Sequence, residues 1–483
     1  MHPYIIYMSK IKFGTDGWRA IIAKDFTVEN VARVTEATAA WLNKNFKNPS
    51  VVVGHDCRYA GPLFAETVAK VLIHNNIKVY LAKDPNAEYG NSFVSTPMVS
   101  LGTVQLQASL GIIITASHNP HTYNGYKLKA NYGGPLTPEK VQEVEDIIPD
   151  RSSVNTEAIS LTDAEKKGLL VYDNLEERYI KHVEKNFDLA AIRNSGFTWA
   201  YDSMFGAGQR VMKRLFPEII HMHNDLNPGF HGQAPEPIHK NLTEFSNLIK
   251  NNGKIDCGLC TDGDADRIGL YDSKGNFVDS HHIILLLIHY LAKYKGQKGK
   301  VCTAFSTTVK IHNMCKHYNL PLDVVKIGFK YICGIMVTED VLVGGEESGG
   351  IAIKGHIPER DGIWMGLVIW EFMAKTKKSL TDLIKEVYEI TGEFWFERND
   401  MHIDEKTKLK VIENCTKNAY KEFGKYKVAR MEDLDGHKFF FDDNRWLMIR
   451  ASGTEPVLRL YAEAKNKAES FDILEDAKKV LFN

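Results

Sequence analysis

Three carboxylates alternate in the run Thr261-Asp-Gly-Asp-Ala-Asp-Arg267. In an extended loop, Asp262, Asp264 and Asp266 converge on one side. Three hard oxygen donors in a compact loop suit Mg²⁺, which keeps its other positions for water or a phosphate oxygen. A solvated turn is the plainer reading, but crowding carboxylates after a buried strand is costly without a cation. A calcium loop of the EF-hand type would want glycine and glutamate where Arg267 and Ser273 stand.

A second run, Gly111-Ile-Ile-Ile-Thr-Ala-Ser-His-Asn-Pro120, ends an apolar strand in a hydroxyl, Ser117. It is neither a G-x-S-x-G elbow nor a P-loop. Ser117 is either turn chemistry bonding to backbone or a nucleophile. Lys127 follows in Tyr123-Asn-Gly-Tyr-Lys-Leu-Lys129, as a solvated charge or as a proton shuttle at a phosphorylated serine. In Gly345-Glu-Glu-Ser-Gly-Gly350 neighbouring side chains of an extended loop point oppositely. One carboxylate would then take two vicinal hydroxyls, as sugars offer, and the other would face solvent. A surface turn is the alternative. Arg450-Ala-Ser-Gly-Thr-Glu-Pro456 combines a guanidinium, two hydroxyls and glycine-exposed amides. That set makes a phosphate cradle or a polar hairpin turn, with Arg459 just downstream. Arg19, after two glycines in Lys12-Phe-Gly-Thr-Asp-Gly-Trp-Arg19, is a weak signal by itself.

The elements that must position these loops repeat three times. Ser50–Gly54 reads as a buried strand, then Phe64, Val68, Val71 and Leu72 keep helical spacing. A second strand and a helix beginning at Thr96-Pro97 lead to the strand before Ser117. Blocks starting at Phe197 and Val301 repeat this order, ending before the aspartates and before Glu346. Strand–helix–strand–helix–strand units imply a largely parallel sheet. Ligands of such sheets bind beyond the carboxyl ends of strands, so three loops point to one cleft. After about Thr391 an amphipathic helix near Glu405–Phe423 precedes a β-rich piece. There Leu458, Leu460, Ala462 and Ala464 share one strand face, as in a half-buried strand.

The chain has 483 residues, 44% hydrophobic and 25% charged, with net charge −1. This fits a soluble multidomain protein and gives no basic balance for nucleic acid. Seven cysteines are too sparse for a disulfide scaffold, and no signal peptide is evident. A reducing cytoplasm is therefore expected. The apolar run from Ile283 is about half the ~20 residues of a membrane span, so it reads as a buried helix. Cys257-Gly-Leu-Cys260 reads as small residues buried in a strand. The His221/His223 and His281/His282 pairs lack zinc-like spacing and read as structural.

Five runs in this order, "FGTDGWR", "TASHNP…NGYKLK", "DGDADR", "GEESGG" and "RASGTEP", resemble the α-D-phosphohexomutases. "GHDCR" (54–58), "STPMV" (95–99) and "GFKYI" (328–332) fit the same pattern, so the resemblance spans nearly the whole chain. It implies three similar mixed α/β domains and a C-terminal α+β domain of TATA-binding-protein-like fold around one central cleft. Residues 1–165 would carry the phosphoserine loop, 166–277 the metal loop, 278–390 the sugar loop and 391–483 the phosphate loop. By the same resemblance, Ser117 matches the phosphoserine, and Asp262, Asp264 and Asp266 the Mg²⁺ ligands, completed by a serine phosphate oxygen. Arg267 matches the arginine beside the metal. Lys127 and Arg19 match groups for proton transfer and phosphate positioning, and His118 is their neighbour. Glu346 and Ser348 match the sugar-hydroxyl loop, and Lys330 a contact to the sugar phosphate in glucose-directed members. Arg450, Ser452, Gly453 and Thr454 match the distal phosphate site, with Arg459 nearby.

The implied activity is intramolecular phosphotransfer. Hexose 1-phosphate and hexose 6-phosphate interconvert through a phosphoserine enzyme and a hexose 1,6-bisphosphate, with glucose 1,6-bisphosphate as activator. The sugar loop departs from the "GEMSGH" and "GEQSGH" types and is closer to "GEES"-containing phosphoglucomutases, which favours glucose. Other readings are a mutase preferring mannose or glucosamine phosphate, a Mg²⁺-dependent sugar phosphatase, and a non-catalytic sugar-phosphate-binding paralogue. The intact Ser117, Lys127 and three aspartates speak against the last. The expected partner is a small hexose phosphate, with no nucleic acid or membrane, and the chain is expected as a monomer or homodimer.

Overall fold

The computed structural model describes residues 10–85, 92–451 and 457–482. Its first sheet takes the strands in the order Trp18–Ile21, Tyr123–Ala130, Leu110–Ile114, Ser50–His55, Lys78–Ala82, Leu170–Asp173. The second runs Phe277–Val278, Ile268–Asp272, Cys257–Thr261, Trp199–Asp202, Ile220–Met222. The third runs Leu322–Val325, Lys300–Ala304, Val341–Gly345, Ile351–Ile353. Helices cover these sheets, as the strand–helix rhythm requires.

All three share a plan that the expectation of a largely parallel sheet leaves out. Leu110–Ile114, Cys257–Thr261 and Val341–Gly345 each pair in parallel on one side. On the other side each pairs antiparallel with the strand that follows it. The three polar loops are therefore hairpin connections. The physical reason is loop length: a parallel return needs a crossover of about a dozen residues or more, and these loops are too short for one. Leu170–Asp173 pairs in parallel with Lys78–Ala82, so the first sheet draws on chain beyond residue 165.

Ser95 caps the helix Thr96–Gln105 by accepting from the Met98 amide at 3.3 Å, and Pro97 lies in its first turn. The apolar run from Ile283 is buried in the helix Ser280–His289, which continues into a π-turn over Tyr290–Tyr294. Among the described residues no helix is long and apolar enough to cross a membrane. One apolar core runs through all three sheets. It includes Val52 and Ile113 of the first with Met98 of the helix beside it, Trp199 and Leu259 of the second, and Ile284, Val343 and Trp370 around the third.

The fourth unit is an antiparallel sheet in the order Trp395–His402, Val457–Ala464, Trp446–Ala451, His437–Phe440, Arg430–Glu432. Its own core includes Leu458, Leu460, Ala462, Ala464 and Ile473. The strand expected to be half-buried is covered on both faces except at Arg459. Tyr461 and Trp446 pack on Phe305 of the third unit, so the face that would meet water is sealed and Glu463 is buried with it. The helix ends at Thr416, earlier than its sequence pattern, and Glu422–Phe423 pairs instead with Tyr426–Lys427.

Candidate active site

Ser117 leaves its strand in the left-handed region, at φ 53°, and is buried. A serine there is strained unless its surroundings fix it, and Arg58 does so. Its guanidinium donates to the carbonyls of Ser117 and Asn119 at 2.6 Å and of Pro120 and Tyr123 at 2.9 Å. Asp56 in turn holds the Arg58 amide at 2.9 Å and accepts from Thr115 Oγ1 at 2.5 Å. The "GHDCR" run is thus the scaffold of the serine loop.

The metal loop meets the serine loop directly. Ser117 Oγ donates to Asp262 Oδ2 at 2.8 Å, and Asp262 Oδ1 accepts the Asp266 and Arg267 amides at 2.9 and 3.0 Å. A Cβ on Gly263 would stand 2.5 Å from the Ser117 carbonyl oxygen, so only glycine permits this approach. The loop is turned rather than extended, with Ala265 at φ 57°. Even so, Asp262, Asp264 and Asp266 bring carboxylate oxygens within 4.8 Å of one another, all buried.

This donor set fits a hard dication. Asp264 Oδ1 and Asp266 Oδ1 are buried without hydrogen-bond partners, an arrangement that costs free energy unless a cation takes them. Burial, then the two neighbouring carboxylates, pushes the Asp262 carboxyl far above its usual range.

Lys127 is buried, which removes the solvated reading. Its Nζ lies 2.8 Å from Asp264, 3.2 Å from Asp266 and 2.9 Å from Asp16. Burial alone would lower its pKa, but the three carboxylates outweigh it and hold the ammonium well up. Arg19 donates to Asn119 at 2.6 Å, beside the serine. His118 Nδ1 is 3.3 Å from Ser117 Oγ. Burial, then Arg267, Arg19 and Lys127, pushes its pKa well below the usual value, so the ring is neutral. Arg267 Nη1 sits 3.8 Å from Glu236, and its Nε is buried without a partner.

Several polar residues in this centre escaped the sequence reading. Arg360 pairs with Asp16 and lies 2.7 Å from Asp266. Lys129 pairs with Glu359 at 2.7 Å. Thr96 donates to Asp264 Oδ2 at 2.5 Å. The available signals were slight: the charge-rich Pro358-Glu-Arg-Asp361 after a short strand, and the cap region of the helix at Thr96.

In the sugar loop, Glu346 accepts from the Gly328 amide at 2.8 Å. Burial pushes its carboxyl up to about 7, against the pull of Arg360. Glu347 does not face solvent as alternation implied. It is half-buried and accepts from the Ser306 hydroxyl, because the loop turns at Gly349, φ 90°, instead of extending. The turn is stitched to the metal loop, where the Ile268 amide donates to the Gly349 carbonyl at 3.1 Å. Ser348 is half-buried in the same turn, and Lys330 is half-buried with its ammonium 5.5 Å from the Tyr331 ring centre.

In the fourth unit Arg450 and Arg459 are direct partners across two antiparallel strands. Like charges so placed repel, and here Asp435, 3.3 Å from Arg450, and Asp400, 3.6 Å from Arg459, offset them only loosely. Positive charge so loosely offset can receive an anion. Ser452, Gly453 and Thr454 lie outside the described residues.

Comparison with known proteins matches the four domain models of phosphoglucomutase/phosphomannomutase. Alpha/beta/alpha domain I covers residues 10–155, domain II 177–275, domain III 279–390 and the C-terminal domain 404–479. A phosphoglucosamine mutase of Methanococcus aeolicus is 30% identical over 97% of this chain and 98% of its own. A phosphoglucomutase/phosphomannomutase of Thermococcus kodakarensis is 28% identical over the same shares. A crystal structure of a provisionally named phosphomannomutase from Thermus thermophilus superposes with TM-score 0.85, at 30% identity over 99% of this chain and 100% of that one.

Proposed function

This chain belongs to the phosphoglucomutase/phosphomannomutase family of α-D-phosphohexomutases, and on that premise we propose that it interconverts hexose 1-phosphate and hexose 6-phosphate through Ser117. The observation that carries this reading is the junction of Ser117 Oγ with the Asp262–Asp264–Asp266 cluster and Lys127. Phosphorylated Ser117 gives its phosphoryl group to the free end of a hexose monophosphate. The resulting bisphosphate turns end for end, and Ser117 Oγ takes the other phosphoryl group back. Glucose 1,6-bisphosphate would prime the serine.

The three aspartates would hold Mg²⁺, which when bound offsets phosphoryl charge as it moves. Lys127, kept as an ammonium, offsets the same charge and can give a proton to the departing oxygen. The neutral imidazole of His118 can receive one at Nδ1. Arg19 and Arg267 face the transferring group, and Arg450 and Arg459 hold the phosphate that is not transferring. Glu346 and Ser348 accept and donate to sugar hydroxyls, with Lys330 near the sugar phosphate. The seven cysteines are all buried and unbridged, which supports a reducing compartment such as the cytoplasm.

Glucose is the hexose we favour. Glu347 is held by Ser306, leaving Glu346 as the carboxylate for a neutral pair of hydroxyls. A second reading, glucosamine, is favoured by the names of relatives from Methanococcus aeolicus and other archaea. Parallel assays with glucose, mannose and glucosamine 1-phosphates separate the two. The highest kcat/KM is expected with glucose 1-phosphate, and a higher value with glucosamine 1-phosphate would replace it.

A further inference from the structure

Two consecutive backbone amides precede the helix Phe329–Thr338, and they serve two different units. Gly328 donates to Glu346 of the sugar loop at 2.8 Å. Ile327 donates to Asp435 Oδ2 of the fourth unit, also at 2.8 Å. Amides at the head of a helix have no acceptor within it, so an outside carboxylate is a strong partner. Asp435 meets Arg450 as well, Oδ1 to Nε at 3.3 Å and Oδ2 to Nη2 at 3.5 Å. A charge-assisted pair normally closes to about 2.7–2.9 Å. The amide contact is therefore the tight one and the guanidinium contact the loose one.

The turn that carries Asp435 is itself pressed onto the Arg450 strand. Gly436 has φ 94°, and a Cβ there would meet the Ile449 carbonyl oxygen at 2.9 Å and Arg450 Cβ at 3.1 Å. Elsewhere the third and fourth units meet through an apolar seam of Phe305 with Phe440, Trp446, Met448 and Tyr461, and, away from the sugar loop, through Lys310 Nζ donating to Asn444 Oδ1 at 2.6 Å and Lys438 Nζ to the Thr307 carbonyl at 3.4 Å. Apolar contact is non-directional and fixes no angle, whereas a short hydrogen bond does.

We propose that Asp435 is a positioning residue: it ties the fourth unit to the Ile327 amide beside the sugar loop and holds the Arg450 guanidinium ready for a substrate phosphate. The second half rests on the phosphate role proposed for Arg450. A phosphate arriving at Arg450 competes with Asp435 for the guanidinium but not for the amide. Binding then changes the partner of Arg450 while the anchor stays. Of the groups that hydrogen-bond the two units together among the described residues, this carboxylate is thus the one that links the amide pair beside the sugar loop to the arginine of the non-transferring phosphate.

Asp435→Ala and Asp435→Asn in the full chain test this, read by kinetics and by hydrogen–deuterium exchange at the Ile327 amide. Asp435→Ala should raise KM for hexose 1-phosphate about tenfold, with kcat changed less than about threefold. Exchange at Ile327 should speed up. Asp435→Asn keeps an oxygen for the amide, so it should restore slow exchange and hold KM within about threefold of wild type. Unchanged KM and unchanged exchange in Asp435→Ala would overturn the proposal, as would exchange raised evenly across the fourth-unit sheet. A wild-type enzyme without mutase turnover would instead overturn the proposed function, and the Ile327 exchange would still decide the anchor.

Discussion

The hydroxyl of Ser117 donates to Asp262 at 2.8 Å, although 145 residues separate them. Two hairpin loops from two different sheets meet there, with three carboxylates packed round the contact. Two of their oxygens are buried without partners, so the triad can hold a divalent cation, and turnover is expected to need one. Chelation is expected to reduce turnover by at least about a thousandfold, and added Mg²⁺ to restore it. Turnover that survives complete chelation would show that Lys127 and Arg360 suffice to balance the aspartates.

Arg58 is buried, with four loop carbonyls and Asp56 as partners. Arg58→Met would leave Asp56 buried and uncompensated, at a cost of about 3–5 kcal/mol. Lysine cannot reproduce the planar fan of donors, so Arg58→Lys should lose most of the activity too. Urea midpoints check the first expectation, and a loss below about 1 kcal/mol would count against it.

The legible part of this centre was the part written in residue types. An aspartate triad crowded in after a buried strand points to a cation, and a serine ending an apolar strand is conspicuous. Asp16 and Arg360 were not legible, since each is an ordinary polar residue whose partner stands 344 positions away. Burial decided Lys127, which the sequence left between two readings. Alternation misplaced Glu347 because that rule assumes an extended backbone, and the loop turns at Gly349. It also exposed a strand face of the fourth unit that Phe305 covers, a contact between units that no local pattern carries.

Glu346 offers hydroxyls a carboxylate only when ionised, and burial sets its pKa at about 7. In the free enzyme kcat/KM should therefore rise with pH across this value. The substrate phosphate titrates in the same region, so the comparison is with Glu346→Gln. That variant should lose the Glu346 part of the rise and keep the rest. Identical pH profiles for the two proteins would remove Glu346 from sugar recognition.

Glu463 is sealed between the third and fourth units, with neither carboxylate oxygen hydrogen-bonded in good geometry. Burial pushes it up from 4.5 to about 7. Between those values the native state holds more protons than the unfolded chain, so stability falls as pH rises, and the loss is complete above about 7. Its size is about 3 kcal/mol. Burial lowers nearby Lys438 from 10.5 to about 8, a cost present at neutral pH and relieved as pH rises through that window. Glu463→Gln should raise Tm at pH 7.5 and leave it nearly unchanged at pH 4. Calorimetry showing a less stable variant at pH 7.5 would contradict this.

The most direct measurement follows a labelled phosphoryl group. Enzyme treated with glucose 1,6-bisphosphate carrying label in its phosphates should yield, after proteolysis, one labelled peptide containing Ser117. That label should pass to unlabelled glucose 1-phosphate, and Ser117→Ala should take up none and isomerise nothing. Near-normal isomerisation by Ser117→Ala, or label held on a different residue, would contradict the central claim.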